Sequence, residues 1–442
     1  MRKIYKRNIL PIILLINLIA ILLSGCMNIQ AEDLYALPRV SDKHLQLQTR
    51  IDEILNQGAE LSPPIGGINR QAVQMVDLNG NGINEVIAFF SFPSQGTLSV
   101  YIFTAEDGDY SVAEVIEVVG TSFESVRYVD MDGDGFKEII IGWQMGLARR
   151  QMEIFSIKDF HAVSLARSDY LYFIDFDITG TGNNDIIVVR PTSLEQGTTV
   201  VMYSLMPDGE LIMASARLSG GVEMISRVLT GTLIDGTPAI FIDSEGRFAD
   251  GNRMVTDIYI FRNNDLTNIT IKGLSGISDE TLRVRLNSAD INGDGFVKVP
   301  IPRRLKAQSE TPYYAIDWHT FNRNGYSTLA LTTYHNNNDE WFLILPFDWR
   351  ENVTIRREDG VAGERTVVFS AIQTEYEIID FLRIHKITGD LREERAQLPG
   401  RHILITGSSA VYAFELLVPP NSFNLTFDET LVRNNFNLMH LG

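Results

Sequence analysis

A short acidic loop followed by an apolar β-branched run recurs along this chain, and its spacing narrows the fold more than any other feature. The segments VQMVDLNGNGINEVIAFF (73–90), VRYVDMDGDGFKEIIIGW (126–143) and LYFIDFDITGTGNNDIIVV (171–189) align without effort. NSADINGDGFVKVPI (287–301) is a fourth copy, and TGTLIDGTPAIFI (230–242) is a degenerate one. Their aligned glycines, Gly82, Gly135, Gly182, Gly236 and Gly295, lie 53, 47, 54 and 59 residues apart. A period near fifty is the mark of a repeat architecture, in which one unit cannot bury its faces alone.

Each unit reads as four strands. In the first, Val73–Val76 enters the loop and Val86–Phe90 leaves it; LSVYIF and VAEVIEVV then form a second hairpin. TTVVMYSL–MPDG–ELIMASARL and DIYIF–RNNDLT–NITI end later units in the same way. Tandem four-stranded antiparallel units predict a mainly β chain built as a β-propeller of about five to seven blades. A β-solenoid is the competing fold, but its repeats are shorter than these.

The ends differ from the repeat. MRKIYKR, a long apolar run and LSGC have the layout of a secretory signal peptide over residues 1–25. The chain's single cysteine, Cys26, stands where a bacterial lipobox requires it. That likeness implies cleavage before Cys26, a diacylglycerol on its sulfur, and a lipid anchor on the extracytoplasmic face of the cell membrane. An uncleaved membrane helix is the alternative. Residues 26–67 supply a spacer, an amphipathic helix over 41–58 with Ser41 as N-cap, and a breaker-rich linker. The repeats fill 68–350. Residues 351–442 lack an acidic loop and read either as a divergent last blade or as a small C-terminal β-rich (α+β) domain. A closing helix with a Thr426/Glu429 capping box points to the domain.

The loops carry the chemistry. Calcium takes six to eight hard oxygen ligands. Alternating carboxylates with glycines at the reversals can supply them locally. In the second copy the donors are Asp130, Asp132, Asp134, the Phe136 carbonyl and Glu138. The first offers Asp77, Asn79, Asn81, the Ile83 carbonyl and Glu85; the third Asp177, Thr179, Thr181, the Asn183 carbonyl and Asp185. The fourth has Asp290, Asn292 and Asp294, but Lys298 stands where the last acid belongs, and its ammonium can replace an ion. An EF-hand is excluded because its twelfth position is Ile141, inside an apolar strand. Zinc is excluded by the lack of a thiolate or a His pair. Metal-free turns remain the alternative, since Asn, Asp and Gly favour tight reversals.

The pattern D-x-[DN]-G-[DN]-G-x-x-[DE] before an apolar strand resembles the FG-GAP/VCBS repeats of integrin-alpha-type propellers over about residues 70–350. The resemblance implies calcium held in a hairpin loop at one rim of each blade, and extracellular binding or adhesion more often than catalysis. The expectation is therefore a lipid-anchored surface protein that binds a protein or glycan partner. A propeller-scaffold enzyme acting on polysaccharide or envelope material, and a structural component of an envelope complex, are the alternatives. Net charge is −18, and −22 without residues 1–25, which speaks against nucleic acid as a partner. The chain has no HExxH, GxSxG or phosphate loop. Asp317 and His319 share a strand face as an acid–base or buried hydrogen-bonded pair. The aromatics Tyr313, Tyr314, Trp318, Tyr334, Trp341 and Trp349 read as blade packing or, if exposed, as a sugar platform.

Overall fold

In the first three repeats the acidic loop joins the first two strands of a four-stranded antiparallel meander. The computed structural model describes residues 42–439 apart from 107–108, 194–196, 249–250, 274, 284–285, 307–311, 359–361, 375–376, 420–421 and 423. The signal segment, Cys26 and the Ser41 cap lie outside the described residues. Sheet 1 contains Val73–Val76, Glu85–Phe92, Thr97–Glu106 and Asp109–Val119. Sheet 2 contains Ser122–Val129, Glu138–Met145, Arg149–Ser156 and Val163–Asp169. Sheet 3 contains Tyr172–Phe176, Asp185–Ser193, Gly197–Leu205 and Leu211–Arg217. Sheet 4 contains Val222–Thr232, Pro238–Phe248, Gly251–Arg262 and Asp265–Asn268, the last pair joined by Asn263 and Asn264 at φ 53° and 60°. Asparagine tolerates that left-handed backbone, which a two-residue hairpin requires.

Sheet 5 contains Val299–Arg304, Tyr314–Phe321, Ser327–Asn336 and Trp341–Leu345. The strand entering its acidic loop is reduced to one bridge, Ala289↔Lys298. Sheet 6 contains Val353–Glu358, Glu364–Thr374, Glu377–Thr388, Ala410–Leu416 and Arg401–Thr406, in that spatial order. Among the described residues three α-helices accompany the sheets: α1 (Asp42–Leu55), α2 (Arg392–Ala396) and α3 (Glu429–Asn435). Asp428 caps α3, its carboxylate accepting the Leu431 N–H at 2.7 Å, so the expected Thr426 capping box does not form. None of the helices among the described residues is long and apolar enough to cross a membrane.

Why the central strands are apolar at every position follows from the stacking. Side chains alternate between faces with period two, and here both faces are covered. Ile139, Ile141 and Trp143 pack toward sheet 1, with Ile87 and Phe89, whereas Ile140 packs toward sheet 3, with Ile186 and Val188. Ile187 and Val189 meet Ile240 and Ile242 of sheet 4, whose other face meets Val299 and Phe321 of sheet 5. Sheets 5 and 6 share one core around Trp341, Leu343, Trp349, Phe369, Phe381 and Phe414. The chain end returns to it: Phe436–Leu438 pairs with Trp341–Leu345. Residues beyond 350 thus share their core with sheet 5.

The two outer faces are finished differently. Ile51 and Ile54 of α1 cover Val86, Ala88 and Phe90 of sheet 1. On sheet 6, Ala396 of α2 covers Ile387, Val411 and Ala413. Beside that patch lies a half-exposed ladder of ion pairs, Arg356–Asp380, Arg356–Glu358 and Arg383–Glu415, at 2.5, 2.7 and 3.5 Å.

Candidate metal loops

The loops share one internal frame. The first-position aspartate turns its carboxylate back over the loop and accepts backbone N–H groups. Asp130 takes those of Gly133 and Gly135 at 2.7 and 3.0 Å; Asp177 takes Gly180 and Gly182 at 2.7 and 2.8 Å; Asp77 takes Gly82 at 2.9 Å. Gly133 and Gly135 stand at φ 76° and 91°, a region that side chains disfavour. The second residue, Leu78, Met131 or Ile178, is buried and plugs the loop into the core.

Position nine sets the charge at the floor of each loop. Glu85, Glu138 and Asp185 are almost fully buried, and each accepts the N–H of its loop's second residue, at 2.8, 3.0 and 3.1 Å. Burial raises the carboxyl pKa of all three. Glu138 is pushed up to about 7, by burial first and then by the charges of Asp132 and Asp134, against the pull of the Met131 N–H.

The second loop fits a hard cation best. One carboxylate oxygen from each of Asp130, Asp132 and Glu138 lies within 4.8 Å of the others. Glu138 Oε1 has no hydrogen-bond partner although the residue is fully buried. An orphaned buried carboxylate oxygen is costly unless a cation or proton meets it. Asp134 stands outside this trio. It accepts the Phe136 N–H at 2.8 Å and pairs with Lys158 Nζ at 2.6 Å.

The first and third loops are more nearly satisfied by their own groups. In the first, Asp77 Oδ1 is buried without a partner, while Asn79 donates to Glu85 at 3.4 Å and Asn81 accepts the Ile83 N–H at 2.7 Å. In the third, the Thr179 hydroxyl donates to Asp177 and Asp185 and lies 3.1 Å from that of Thr181. The Asn183 side chain is pressed against the second loop: a Cβ on Gly133 would lie 2.9 Å from its Oδ1.

In the fourth loop Lys298 lies where the sequence places it, among the loop oxygens. Asp290 and Asp294 already hold a cation belonging to the chain, so with Asn292 they do not form an open metal site. Lys298 Nζ is buried and lies 2.5 Å from Asp294 Oδ1, 2.9 Å from the Phe296 carbonyl and 3.5 Å from Asp290 Oδ1. These are the oxygens of positions one, five and seven, the same positions assigned to an ion in the other copies. In the degenerate loop, Asp235 accepts the Arg323 N–H at 2.9 Å, with the guanidinium 3.5 Å away.

Loops one to three form a contiguous row. The Lys137 N–H donates to the Leu78 carbonyl at 2.7 Å, and a Cβ on Gly80 would lie 2.8 Å from the Gly135 carbonyl oxygen. Sequence reasoning missed Lys158 and Arg323, because both reach their loops from hairpins with no local signature of that role.

The other candidates resolve as structure. Asp317 bonds Arg303, Arg350 and Thr332 at 3.0, 2.7 and 2.8 Å, rather than His319. Trp318, Tyr334, Trp341 and Trp349 are buried, and Trp349 donates to the Thr426 carbonyl at 2.8 Å. Only Tyr314 of that aromatic group is well exposed.

No curated protein matches the chain. Residues 62–141, which span most of the linker, sheet 1 and the first two acidic loops, match the FG-GAP-like repeat family.

Proposed function

We propose that this chain is an extracytoplasmic binding module, tethered to its membrane by lipid on Cys26. Its propeller-like stack of six blades presents a rim of loops set by calcium. The observation that carries the calcium reading is Lys298. Its ammonium, placed among the oxygens of Asp290, Asp294 and Phe296, marks the loop interior as a hole shaped for a cation. Where position nine is an acid, a buried carboxylate replaces the loop's own ammonium.

Asp130, Asp132 and Glu138 would hold the ion in the second loop, with Asp134 and the Phe136 carbonyl as further donors. Asp77, Asn79, Asn81, Ile83 and Glu85 are the set in the first. Asp177, Thr179, Thr181, Asn183 and Asp185 are the set in the third. Bound calcium supplies charge neutralisation and rigidity, and the protein supplies oxygens already oriented by backbone N–H groups. The partner is a surface protein or a glycan; the tryptophans are buried, and Tyr314 and Tyr326 are among the exposed aromatics a sugar could stack on.

The test is thermal. Calcium raises the melting temperature of the wild type, and Asp132→Ala with Asp134→Ala removes most of that rise. A wild type indifferent to calcium would refute the metal reading. Anchoring is tested by Cys26→Ser, which releases the protein from membranes; unchanged retention would refute lipidation. A pull-down of surface partners, run with calcium and with a chelator, then reads the binding role.

A further inference from the structure

Three acidic turns have a basic side chain against them, and each arrives by a different route. Lys298 comes from its own loop and is buried; Arg323 comes from a hairpin of the next sheet. Lys158 comes from the turn after the third strand of sheet 2. Its Nζ lies 2.6 Å from Asp134 Oδ2 and 3.4 Å from Asp132 Oδ2.

The two lysines differ in freedom. The Lys298 side chain is 1% exposed, whereas that of Lys158 is 47% exposed. The backbone under Lys158 is nevertheless fixed. Ile157 is buried in the core between sheets 1 and 2, and Phe160 packs against it. Glu114 accepts the Ala162 N–H at 2.9 Å. Asp159 and Phe160 hold left-handed backbone, at φ 53° and 54°. A fixed stem with a half-exposed head lets the ammonium swing while its point of attachment stays.

Lys158 also satisfies only part of the loop. It meets Asp132 and Asp134, while Glu138 Oε1, in a fully buried residue, stays without a partner. A multivalent cation reaching Asp130, Asp132 and Glu138 together gains what the ammonium leaves unmet.

We propose that Lys158 is a tethered competitor for the cation of the second loop, holding Asp132 and Asp134 together when no metal is present and withdrawing to solvent when a divalent ion enters. This rests on the reading of the second loop as a calcium site. The lysine therefore weakens apparent calcium affinity while stabilising the metal-free loop, so its removal has two effects of opposite sign.

The test uses the purified chain in five forms: wild type, Lys158→Met, Lys158→Arg, Asp132→Asn and the double variant Lys158→Met/Asp132→Asn. Calcium is titrated by calorimetry, and melting is followed in chelator. Lys158→Met should tighten the strongest calcium step on the order of tenfold, equivalent to about 1.4 kcal/mol, and lower the melting temperature in chelator. Lys158→Arg should behave like the wild type, and Asp132→Asn should abolish the tightened step. Unchanged affinity in Lys158→Met, with a wild-type step that Asp132→Asn removes, overturns the competitor role and leaves the calcium reading standing. No calcium step in any of the five overturns the calcium reading itself.

Discussion

Replacing Lys298 with glutamate should turn the fourth loop into a calcium-dependent one. The wild-type ammonium is buried against Asp294, Asp290 and the Phe296 carbonyl. Removing one partner of a buried pair costs about 3–5 kcal/mol. The Asp290 and Asp294 side chains are 30% and 39% exposed, so water screens the residual charge and about 2–3 kcal/mol is the better figure here. The new glutamate adds a buried anion beside two others. It escapes repulsion by taking up a proton, which at neutral pH costs up to about 4 kcal/mol. The sum, up to about 6–7 kcal/mol, is a large part of a typical total of about 5–15 kcal/mol.

Calcium should return much of that loss. Extracellular sites bind at roughly 10⁻⁴–10⁻³ M, and ligand at a hundred times its dissociation constant contributes about 2.7 kcal/mol. At about 10 mM calcium the variant's melting temperature should therefore rise by several degrees more than the wild type's. The excess is the informative quantity, because other loops respond in both proteins. Lys298→Met removes the cation without adding an acid, and should be destabilised with no excess rise. Scanning calorimetry in chelator and in calcium reads all three. A Lys298→Glu protein with no calcium-dependent excess would refute the claim that one loop frame serves ammonium and metal alike.

Two further outcomes follow from other parts of the fold. His335 stacks on Phe342 at 5.1 Å with its Nε2 buried and unpartnered, and burial pulls its pKa from 6.5 to about 4. It is neutral in the folded chain, so its contribution is complete above pH 6.5 and is lost as pH falls toward 4. The loss is about 2 kcal/mol at pH 5, and His335→Phe should flatten the change in urea midpoint between pH 7 and pH 5 by that amount. Gly80→Ala puts a Cβ 2.8 Å from the Gly135 carbonyl at φ 70°, whereas Gly82→Ala, at φ 82°, meets open space. Denaturant unfolding should therefore show Gly80→Ala costing about 1–3 kcal/mol and more than Gly82→Ala; equal costs would remove the contact between loops one and two.

The repeat was legible because both of its signals are local. The strand leaving the first loop, expected over Val86–Phe90, runs from Glu85 to Phe92. Its unbroken apolar run follows from packing on both faces. What was not legible depends on partners distant in sequence. The return of Phe436–Leu438 to sheet 5 is set by a core that spans two sheets, and no pattern in FNL announces it. The reversal that places Arg401–Thr406 outside Ala410–Leu416 is of the same kind. The α3 cap was misassigned by two residues because Thr426, the better-looking sequence match, is held by Asp348 and Trp349 instead.

The loops show where local reading reaches its limit and what lies beyond it. Position nine was legible as the residue that decides each loop, and its burial in all four copies gives the reason. A charge placed at that depth must be answered, and the chain shows two of the available answers. Lys298 answers two aspartates with an ammonium of its own. Glu138 shifts to a pKa of about 7, toward the proton. A divalent ion would be a third answer, reaching the carboxylates of Asp130, Asp132 and Glu138 together. Lys158 reaches Asp132 from 26 residues away, and Arg323 reaches Asp235 from 88. Neither belongs to a motif, yet both occupy carboxylate oxygens of an acidic loop. On the calcium reading proposed above, the motif supplies the oxygens and these hairpins supply the cation that competes for them.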